Sequence, residues 1–216
     1  MKTISIKGTG KAKRDPDLVI FRIQTSARQK EYCDAVEASN VLVNRLKGEL
    51  ESIGFDGKDL KTIIFDTRPI FEHVEVGIIS KKQERQLQCF EVNHDLKLEF
   101  GMDNDMINDV LKCLKGFRKD VQFDIGFSVS DTDSLKREVI MNATKNARFN
   151  AEILAEASGV RLGDLIKIEY NWHDISFISR SDIQMRLESY YDANYMEFNP
   201  DSIEISDDVL FVWQIS

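Results

Sequence analysis

The stretch that decides the fold class is Phe90-Glu91-Val92-Asn93-His94-Asp95-Leu96-Lys97-Leu98-Glu99-Phe100. Apolar and polar residues alternate along it, and His94 interrupts the apolar side. A period of two is typical of a strand with one face on a core and the other in water, as in antiparallel sheets. A second stretch, residues 121–129, alternates in the same way. Together the two stretches predict a largely antiparallel sheet.

Elsewhere the hydrophobic period changes to three and four residues, which predicts amphipathic helices. The first predicted helix covers residues 31–53, and the longest covers residues 132–158 with alanines along its inner side. A short helix, capped by Asp103 or Asn104, is predicted between the two alternating strands. The chain is therefore predicted to have an α+β fold, in which antiparallel sheets pack with two long helices and one short helix.

The first strand is predicted over residues 3–13, and its inner positions narrow to Gly8, Gly10 and Ala12. Such small residues allow another backbone to approach closely. Residues 14–17 contain a proline between two aspartates, a composition that is typical of turns. With the strand that follows the turn, this pattern predicts an N-terminal hairpin.

The remaining strands are predicted from shorter patterns. Residues 59–71 read as a strand, and Pro69 within it indicates an edge position or a break, because proline cannot donate a ladder hydrogen bond. Residues 73–82 are predicted to form a loop or irregular hairpin connection. Residues 165–172 predict another strand, and residues 209–213, apolar on both sides, predict a central buried one.

One short pattern occurs twice along the chain. Gly54 is followed five residues later by Asp59, and Gly159 is followed five residues later by Asp164, each after a long predicted helix. The repetition predicts a single unit over residues 1–216 made of two related halves. The halves would form one domain or two intertwined subdomains. The helix-turn-strand element would recur near residues 31–66 and 132–172, through duplication or through convergent turn chemistry.

The balance of charge bears on the class of partner. The chain has 37 acidic and 29 basic residues and a net charge of −8, which argues against nucleic acid, since phosphate binding depends on clustered lysine and arginine. No lysine or arginine follows Arg186. We interpret the acidic end as a solvated face that favours solubility, or as a surface for a basic partner or a loosely held divalent cation. Its carboxylates are Glu188, Asp192, Glu197, Asp201, Glu204, Asp207 and Asp208.

The sequence also carries expectations about the compartment. No apolar run of about 18 residues is present, so no transmembrane helix is predicted. Strand-like alternation begins at Thr3, which leaves no room for a signal peptide. The cysteines Cys33, Cys89 and Cys113 are odd in number and far apart, as expected for free thiols in a reducing cytosol. A cytoplasmic location is therefore predicted.

No catalytic, cofactor-binding or metal-binding residue is predicted. The segment ending at Lys11 lacks the serine or threonine and the helix that a phosphate loop requires. His73, His94 and His173 stand apart without ligand spacing, and His94 is interpreted as a hydrogen-bonded, partly buried residue. Cys113 is interpreted as a small core residue. No enzyme is predicted.

Several ordered motifs resemble the SIMPL-domain family, also called DUF541. The opening Ile4-x-Ile6-x-Gly8-x-Gly10 is followed by Pro16-Asp17, and the first long helix leads to Gly54 and then to Asp59-Leu60. The alanine-rich helix leads to Gly159 and Leu162-Gly163, and Pro200-Asp201-Ser202-Ile203-Glu204-Ile205 leads to a terminal strand with Trp213. Each motif is weak alone, but their order and spacing are together fairly specific, and they cover nearly the whole chain.

The resemblance implies an α+β fold, frequent self-association, and no established enzymatic activity or cofactor. It also implies a link to the bacterial envelope and to tolerance of oxidative stress. The resulting hypothesis is a non-enzymatic homo-oligomer of the bacterial cytoplasm with a stress-related or scaffolding role. Its interface would use edge strands and the aromatic segment 190–198, which could equally be a lid on the core. The alternative is a monomer that binds a small ligand in a pocket between its two halves.

Overall fold

A computed structural model describes residues 2–76, 82–117, 120–170, 179–180 and 195–216. In chain order its elements are β1 (Thr3–Arg14), β2 (Leu18–Gln29), α1 (Tyr32–Ser52), β3 (Lys61–Val76), β4 (Lys82–Gly101), α2 (Asn104–Lys115), β5 (Val121–Ser128), α3 (Thr132–Ala157), β6 (Leu162–Glu169), β7 (Ser179–Arg180) and β8 (Ile203–Ile215). They form a three-stranded and a five-stranded sheet with antiparallel pairing, so the predicted α+β class is confirmed.

The chain divides into two compact units, each built from separate segments. The first unit consists of Met1–Asp17, Phe127–Ser179 and Pro200–Ser216, and the second consists of Leu18–Gly126 and Arg180–Asn199. Gly54, in the second unit, and Gly159, in the first, each follow a long helix with φ of 106° and 68°. Glycine adopts such values without steric cost. That the two halves are related stays a prediction.

The first unit packs α3 against the sheet β1-β8-β6. The central strand is β8, as predicted from its apolar run, and its residues Val209, Phe211 and Trp213 are buried against the alanine stripe of α3. A stripe of alanines lets a helix lie close to a sheet because no long side chain separates their backbones. Strand β6 lies at one edge of this sheet and begins at Leu162, earlier than predicted.

Strand β1 supplies the other side of this close contact. A Cβ added to Gly8 would collide with the carbonyl oxygen of Ala143, and one added to Gly10 would collide with that of Val139. The Nδ2 atom of Asn142 on the same helix donates a 2.8 Å hydrogen bond to the carbonyl oxygen of Lys11. The prediction that small residues on β1 admit another backbone is therefore confirmed.

The predicted N-terminal hairpin is wrong. Strand β1 pairs with β8 along its whole length, and β2 pairs with β4 in the other sheet. Between them the Asp17 carboxylate accepts hydrogen bonds of 2.6 Å each from the backbone N and the Oγ of Ser130. These bonds lower the pKa of Asp17 and hold the linker beside residue 130. A local turn preference is weak beside a twelve-residue ladder with β8 and the contact with α3.

The second unit has the strand order β3-β4-β2-β5-β7, with α1 packed on β2 and β4. The buried core includes Val19, Phe21 and Ile23 of β2 and Leu96 and Leu98 of β4. Helix α2 is capped as predicted, because an Asp103 side-chain oxygen accepts from the backbone N of Asp105 at 2.9 Å and of Met106 at 3.2 Å.

The predicted edge position of β3 is confirmed, since β3 is the outer strand of the five-stranded sheet and includes Pro69. Of the two predictions for residues 73–82, the irregular hairpin connection is confirmed and the loop is not, because β3 continues to Val76 and pairs there with Lys82 of β4. Cross-strand pairing with β4 extends the ladder past the limit that the sequence pattern suggested. Residues 77–81 lie outside the described residues.

Among the described residues, no helix has the length and apolar composition needed to cross a membrane.

Candidate functional site

The five-stranded sheet turns a polar face away from the buried residues of β2 and β4. The register brings side chains of three strands together in two rows: Glu91 stands between Arg28 of β2 and Arg68 of β3, and Asn93 stands between Ser26 and Asp66. Because directly opposite residues in an antiparallel sheet point to the same side, these side chains share one face. We call this set the polar face, and it comprises Gln24, Ser26, Arg28, Asp66, Arg68, Glu91, Asn93 and Asp95.

Glu91 is the buried centre of the polar face, with only 2% of its surface exposed. Its Oε1 accepts a 2.7 Å hydrogen bond from Nε of Arg28 and lies 2.7 Å from Nη2 of the same side chain. Its Oε2 accepts a 2.6 Å bond from Nε of Arg68 and lies 2.5 Å from Nη2. Each carboxylate oxygen thus faces two N–H groups of one planar guanidinium, and these three residues form the Glu91 ion-pair cluster.

Two opposing effects act on the pKa of Glu91. Burial raises the pKa, but hydrogen bonds from Arg28, Arg68 and Asn93 together outweigh it and lower the pKa to about 2 from an ordinary value of 4.5. The carboxylate is therefore ionised at neutral pH. Two arginines against one glutamate leave a net positive charge in the cluster, and the outer parts of both arginines remain exposed.

A groove of about 780 Å³ lies over this face, and a second hollow of about 470 Å³ adjoins Asp124 of β5. The larger groove also contains the carboxylates of Asp66, Asp95 and Asp120. Among the described residues that line it there is neither a histidine nor a cysteine. The groove can therefore offer hydrogen bonds and charges to a polar molecule.

The outer edge of β3 is a second unusual surface. Its neighbouring side chains Ile63, Ile64 and Phe65 are 50%, 52% and 47% exposed. Further along, Phe71 is also exposed, and the guanidinium carbon of Arg85 lies 4.0 Å from the centre of its ring. Within the part of the chain that the structure describes, no strand pairs with this edge. The edge therefore presents backbone N–H and C=O groups beside exposed apolar side chains.

His94 lies on the opposite, buried side of β4. Its Nε2 is 2.9 Å from Oγ1 of Thr62, and the ring of Phe65 meets its ring edge-on with the centres 5.2 Å apart. Burial first, and then the positive charge of Lys47, lower the pKa of His94, so the imidazole is neutral at pH 7. The interpretation of His94 as a hydrogen-bonded, partly buried residue is confirmed. His173 lies outside the described residues.

Cys113 does not have the environment of an activated thiol. Cys113 is half-buried, its Sγ lies 3.7 Å from the carbonyl oxygen of Glu49, and burial followed by the charge of Glu49 raises its pKa. A raised pKa keeps the thiol protonated and unreactive. Among the described residues, no three histidine, cysteine, aspartate or glutamate side chains are grouped so that they could hold a metal ion.

The acidic end of the chain is only partly the solvated face that the sequence predicts. Asp207 is buried and accepts a 2.8 Å hydrogen bond from the hydroxyl of Tyr170. Burial and this hydrogen bond raise the pKa of Tyr170 to about 12. Asp208 lies 2.6 Å from Nζ of Lys7. The prediction of a solvated face is wrong for Asp207, because this carboxylate is buried and the Tyr170 hydroxyl takes the place of water as its hydrogen-bond donor. Outside the described residues lie Glu188 and Asp192.

The part of the aromatic segment that is described, residues 195–198, is held on α2. Asn108 donates from Nδ2 to the Met196 carbonyl at 2.8 Å and accepts from the Met196 backbone N at 2.9 Å. Asn104 makes the same pair of contacts with Phe198, at 3.3 and 2.8 Å, and Phe198 is buried. For Phe198 the structure favours the lid on the core over the interface. Residues 190–194 lie outside the described residues.

The comparison with protein families shows which family the chain belongs to. Residues 4–213 match the family described as SIMPL, a protein of unknown function (DUF541). The chain belongs to the SIMPL family. The match covers both compact units, and the resemblance that the ordered motifs indicate is confirmed.

One curated relative of this SIMPL chain is the 26 kDa periplasmic immunogenic protein of Brucella abortus (strain S19). The two are 21% identical over 165 residues, which is 76% of this chain, and the chain spans 65% of the length of that relative. The relative is periplasmic by name, whereas the sequence of this SIMPL chain predicts the cytoplasm. Neither its name nor the family description names a reaction.

Sequence reasoning missed two features of this SIMPL chain, the Glu91 ion-pair cluster and the asparagine contacts of α2. The Glu91 ion-pair cluster joins residues of three strands, and no local motif connects Arg28 or Arg68 with Glu91. The only signal was a glutamate on the polar side of a strongly alternating strand, which is ordinary. The asparagines of α2 had a clearer signal, since Asn104 and Asn108 are four residues apart and therefore share one side of the helix.

Proposed function

We propose that this SIMPL protein is a non-enzymatic, self-associating protein with a scaffolding role, in which copies join through the outer edge of β3. The observation that carries the proposal is the 16-residue length of β3 at the edge of its sheet, with half-exposed apolar side chains along it. A long apolar edge strand is a template for pairing with another strand, because its backbone groups and side chains both gain by being covered.

The same strand also limits pairing with unrelated strands. Pro69 lacks an N–H group, and Asp66 and Arg68 place charges on the edge. Proline and charge are the devices with which proteins protect sheet edges from aggregation. A partner strand therefore has to match these charges, which favours one defined assembly over indiscriminate association.

We predict that the untagged protein forms a discrete assembly at micromolar concentration. Native mass spectrometry should show a mass of two or more 24.9 kDa chains, and light scattering should give the same mass in solution. A clean monomer by both methods over the whole micromolar range would contradict the proposal.

A role in tolerance of oxidative stress and a cytoplasmic location remain parts of the proposal that rest on the family resemblance and on the sequence. Burial raises the pKa of Cys113, which makes this thiol a poor direct reactant with oxidants. In the proposal, a stress-related role acts through assembly. The periplasmic location in the relative's name makes the compartment a matter for fractionation with markers for both compartments.

A second candidate function is the binding of a small polar molecule, and the 780 Å³ groove over the polar face favours it. Its carboxylates and amides suit compounds that carry amino and hydroxyl groups. We predict that a member of a panel of amino sugars, polyamines and amino acids raises the melting temperature saturably. Replacement Asp95→Asn in the groove should weaken this effect, and Asp109→Asn on α2 should leave it unchanged. If no compound in the panel stabilises the protein, the candidate loses its support.

A further inference from the structure

The sequence of β3 is complementary to itself when it runs antiparallel to a second copy. Asp66 and Arg68 are two residues apart, with Thr67 between them. If a two-fold axis passes through Thr67, then Asp66 of each copy lies directly opposite Arg68 of the other. We propose that two copies pair their β3 strands in this register, an inference that rests on the proposed self-association.

Charge selects this register from its neighbours. An axis through Asp66 would put the two Asp66 carboxylates opposite each other, and an axis through Arg68 would do the same to the two guanidinium groups. Like charges directly opposite are destabilising, whereas opposite charges and a threonine pair are favourable. A shift of the pairing by one residue would place the polar face of one copy on the same side as the buried face of the other. Every side chain of one copy would then point to the opposite side of the joined sheet.

Arg68 is positioned to make the new contact without leaving Glu91. Its Nε and Nη2 face Oε2 of Glu91 on the β4 side of the strand. Nη1 belongs to the other edge of the planar group and is available for a carboxylate across the outer side of β3. Asp66 is exposed. The Glu91 ion-pair cluster thus engages Nε and Nη2 of Arg68 and does not use Nη1.

The same register covers part of the exposed apolar surface. Between its two bulges β3 is regular from Ile64 to Ile70, and in this register Ile64, which is 52% exposed, comes opposite Ile70 and gains an apolar neighbour. Pro69 comes opposite Phe65 and costs one ladder hydrogen bond on each side of the axis. The two polar faces then continue from one sheet into the next, because a two-fold axis normal to the sheet keeps equivalent faces on one side.

Cross-linking at the axis tests the register. In a background where Cys33, Cys89 and Cys113 are replaced by serine, Thr67→Cys should form a disulfide-linked dimer under mild oxidation, since the two Cα atoms would be about 5 Å apart. Glu72→Cys is the matched control on the same strand, and its two copies would be about 33 Å apart and should stay unlinked. Circular dichroism should show that both variants are folded.

A charge reversal provides an independent measurement. Asp66→Arg places two arginines opposite each other twice in the dimer and should raise the dissociation constant about tenfold or more. Asp124→Arg makes the same change of charge on β5 of the same sheet and should leave association unchanged. A defined assembly in which Thr67→Cys does not cross-link, or in which Asp66→Arg associates normally, would overturn the register and leave the proposed function standing. A monomeric wild type would overturn both.

Discussion

Replacing Glu91 with glutamine is expected to lower the free energy of unfolding by about 3 kcal/mol at pH 7. The folded-state pKa of Glu91 is about 2 and its ordinary value is 4.5, so the ionised form is strongly favoured in the folded protein. A neutral amide of nearly the same shape keeps the volume but loses the charge that both arginines face. Urea titrations of the two proteins at pH 7 measure the difference.

The pH dependence of this difference has a definite sign. A carboxylate whose pKa is depressed by folding stabilises the protein fully above its unfolded pKa, and the stabilisation is lost as the pH falls through the folded pKa. The difference in free energy of unfolding between wild type and Glu91→Gln should therefore be constant above pH 5 and decrease progressively between pH 4.5 and 2. Urea titrations of both proteins through that range, down to the lowest pH at which the wild type folds, measure this decrease.

Glu99→Gln is the matched control for Glu91→Gln. Glu99 is on the polar side of β4 as well, but its partner is a single lysine, Lys97, and 30% of its side chain is exposed. Such a surface pair contributes little, so Glu99→Gln should change the free energy of unfolding by less than about 1 kcal/mol. Equal effects of the two replacements, or a gap for Glu91→Gln that does not change with pH, would contradict the role assigned to the Glu91 ion-pair cluster.

Adding a single methyl group at Gly10 is expected to destabilise the first unit by about 3 kcal/mol. The Cβ of Gly10→Ala would lie 1.9 Å from the carbonyl oxygen of Val139 and 2.6 Å from the backbone N of Ala143, so strand and helix would have to separate. Separation weakens the packing of the whole alanine stripe, because small side chains make contact only at short distance. Thermal and urea denaturation followed by circular dichroism measure the loss.

Gly48→Ala is the matched control for Gly10→Ala and is expected to have the opposite effect on stability. Gly48 is within α1, and a Cβ there would meet no atom within 4 Å. Alanine is a better helix former than glycine, so Gly48→Ala should stabilise the protein by about 0.5–1 kcal/mol. If Gly10→Ala is as well tolerated as Gly48→Ala, then the backbone contact between β1 and α3 is not important for stability.

The features that sequence reasoning predicted correctly depend on near neighbours along the chain. The alternation of residues 90–100 predicted a strand with one polar side. Asp103 or Asn104 was predicted to cap the helix that follows, and the structure shows that Asp103 is the cap. Pro69 predicted an edge strand because a missing N–H excludes a central position. Gly8 and Gly10 predicted a close backbone approach, although the helix that approaches could not be named.

The features that were missed depend on pairing between distant segments. The turn residues 14–17 suggested a hairpin, but β1 is paired with β8 from the far end of the chain. Glu91 looked like any polar residue of an alternating strand until the register of β2, β3 and β4 placed Arg28 and Arg68 on either side of it. Asp207 looked solvated until Tyr170 of the same unit was found within hydrogen-bond distance.

Local patterns along the chain are therefore sufficient to predict the α+β class, the helices, most strand positions, the edge character of β3 and membership of the SIMPL family. These follow from residue size, hydrophobic period and capping groups, which act over a few residues. The tertiary structure alone decided which strands pair, and with that decision the buried carboxylate, its two arginines and the groove above them. The reason is physical: strand pairing is selected by contacts over the whole sheet, and such contacts have no local signature.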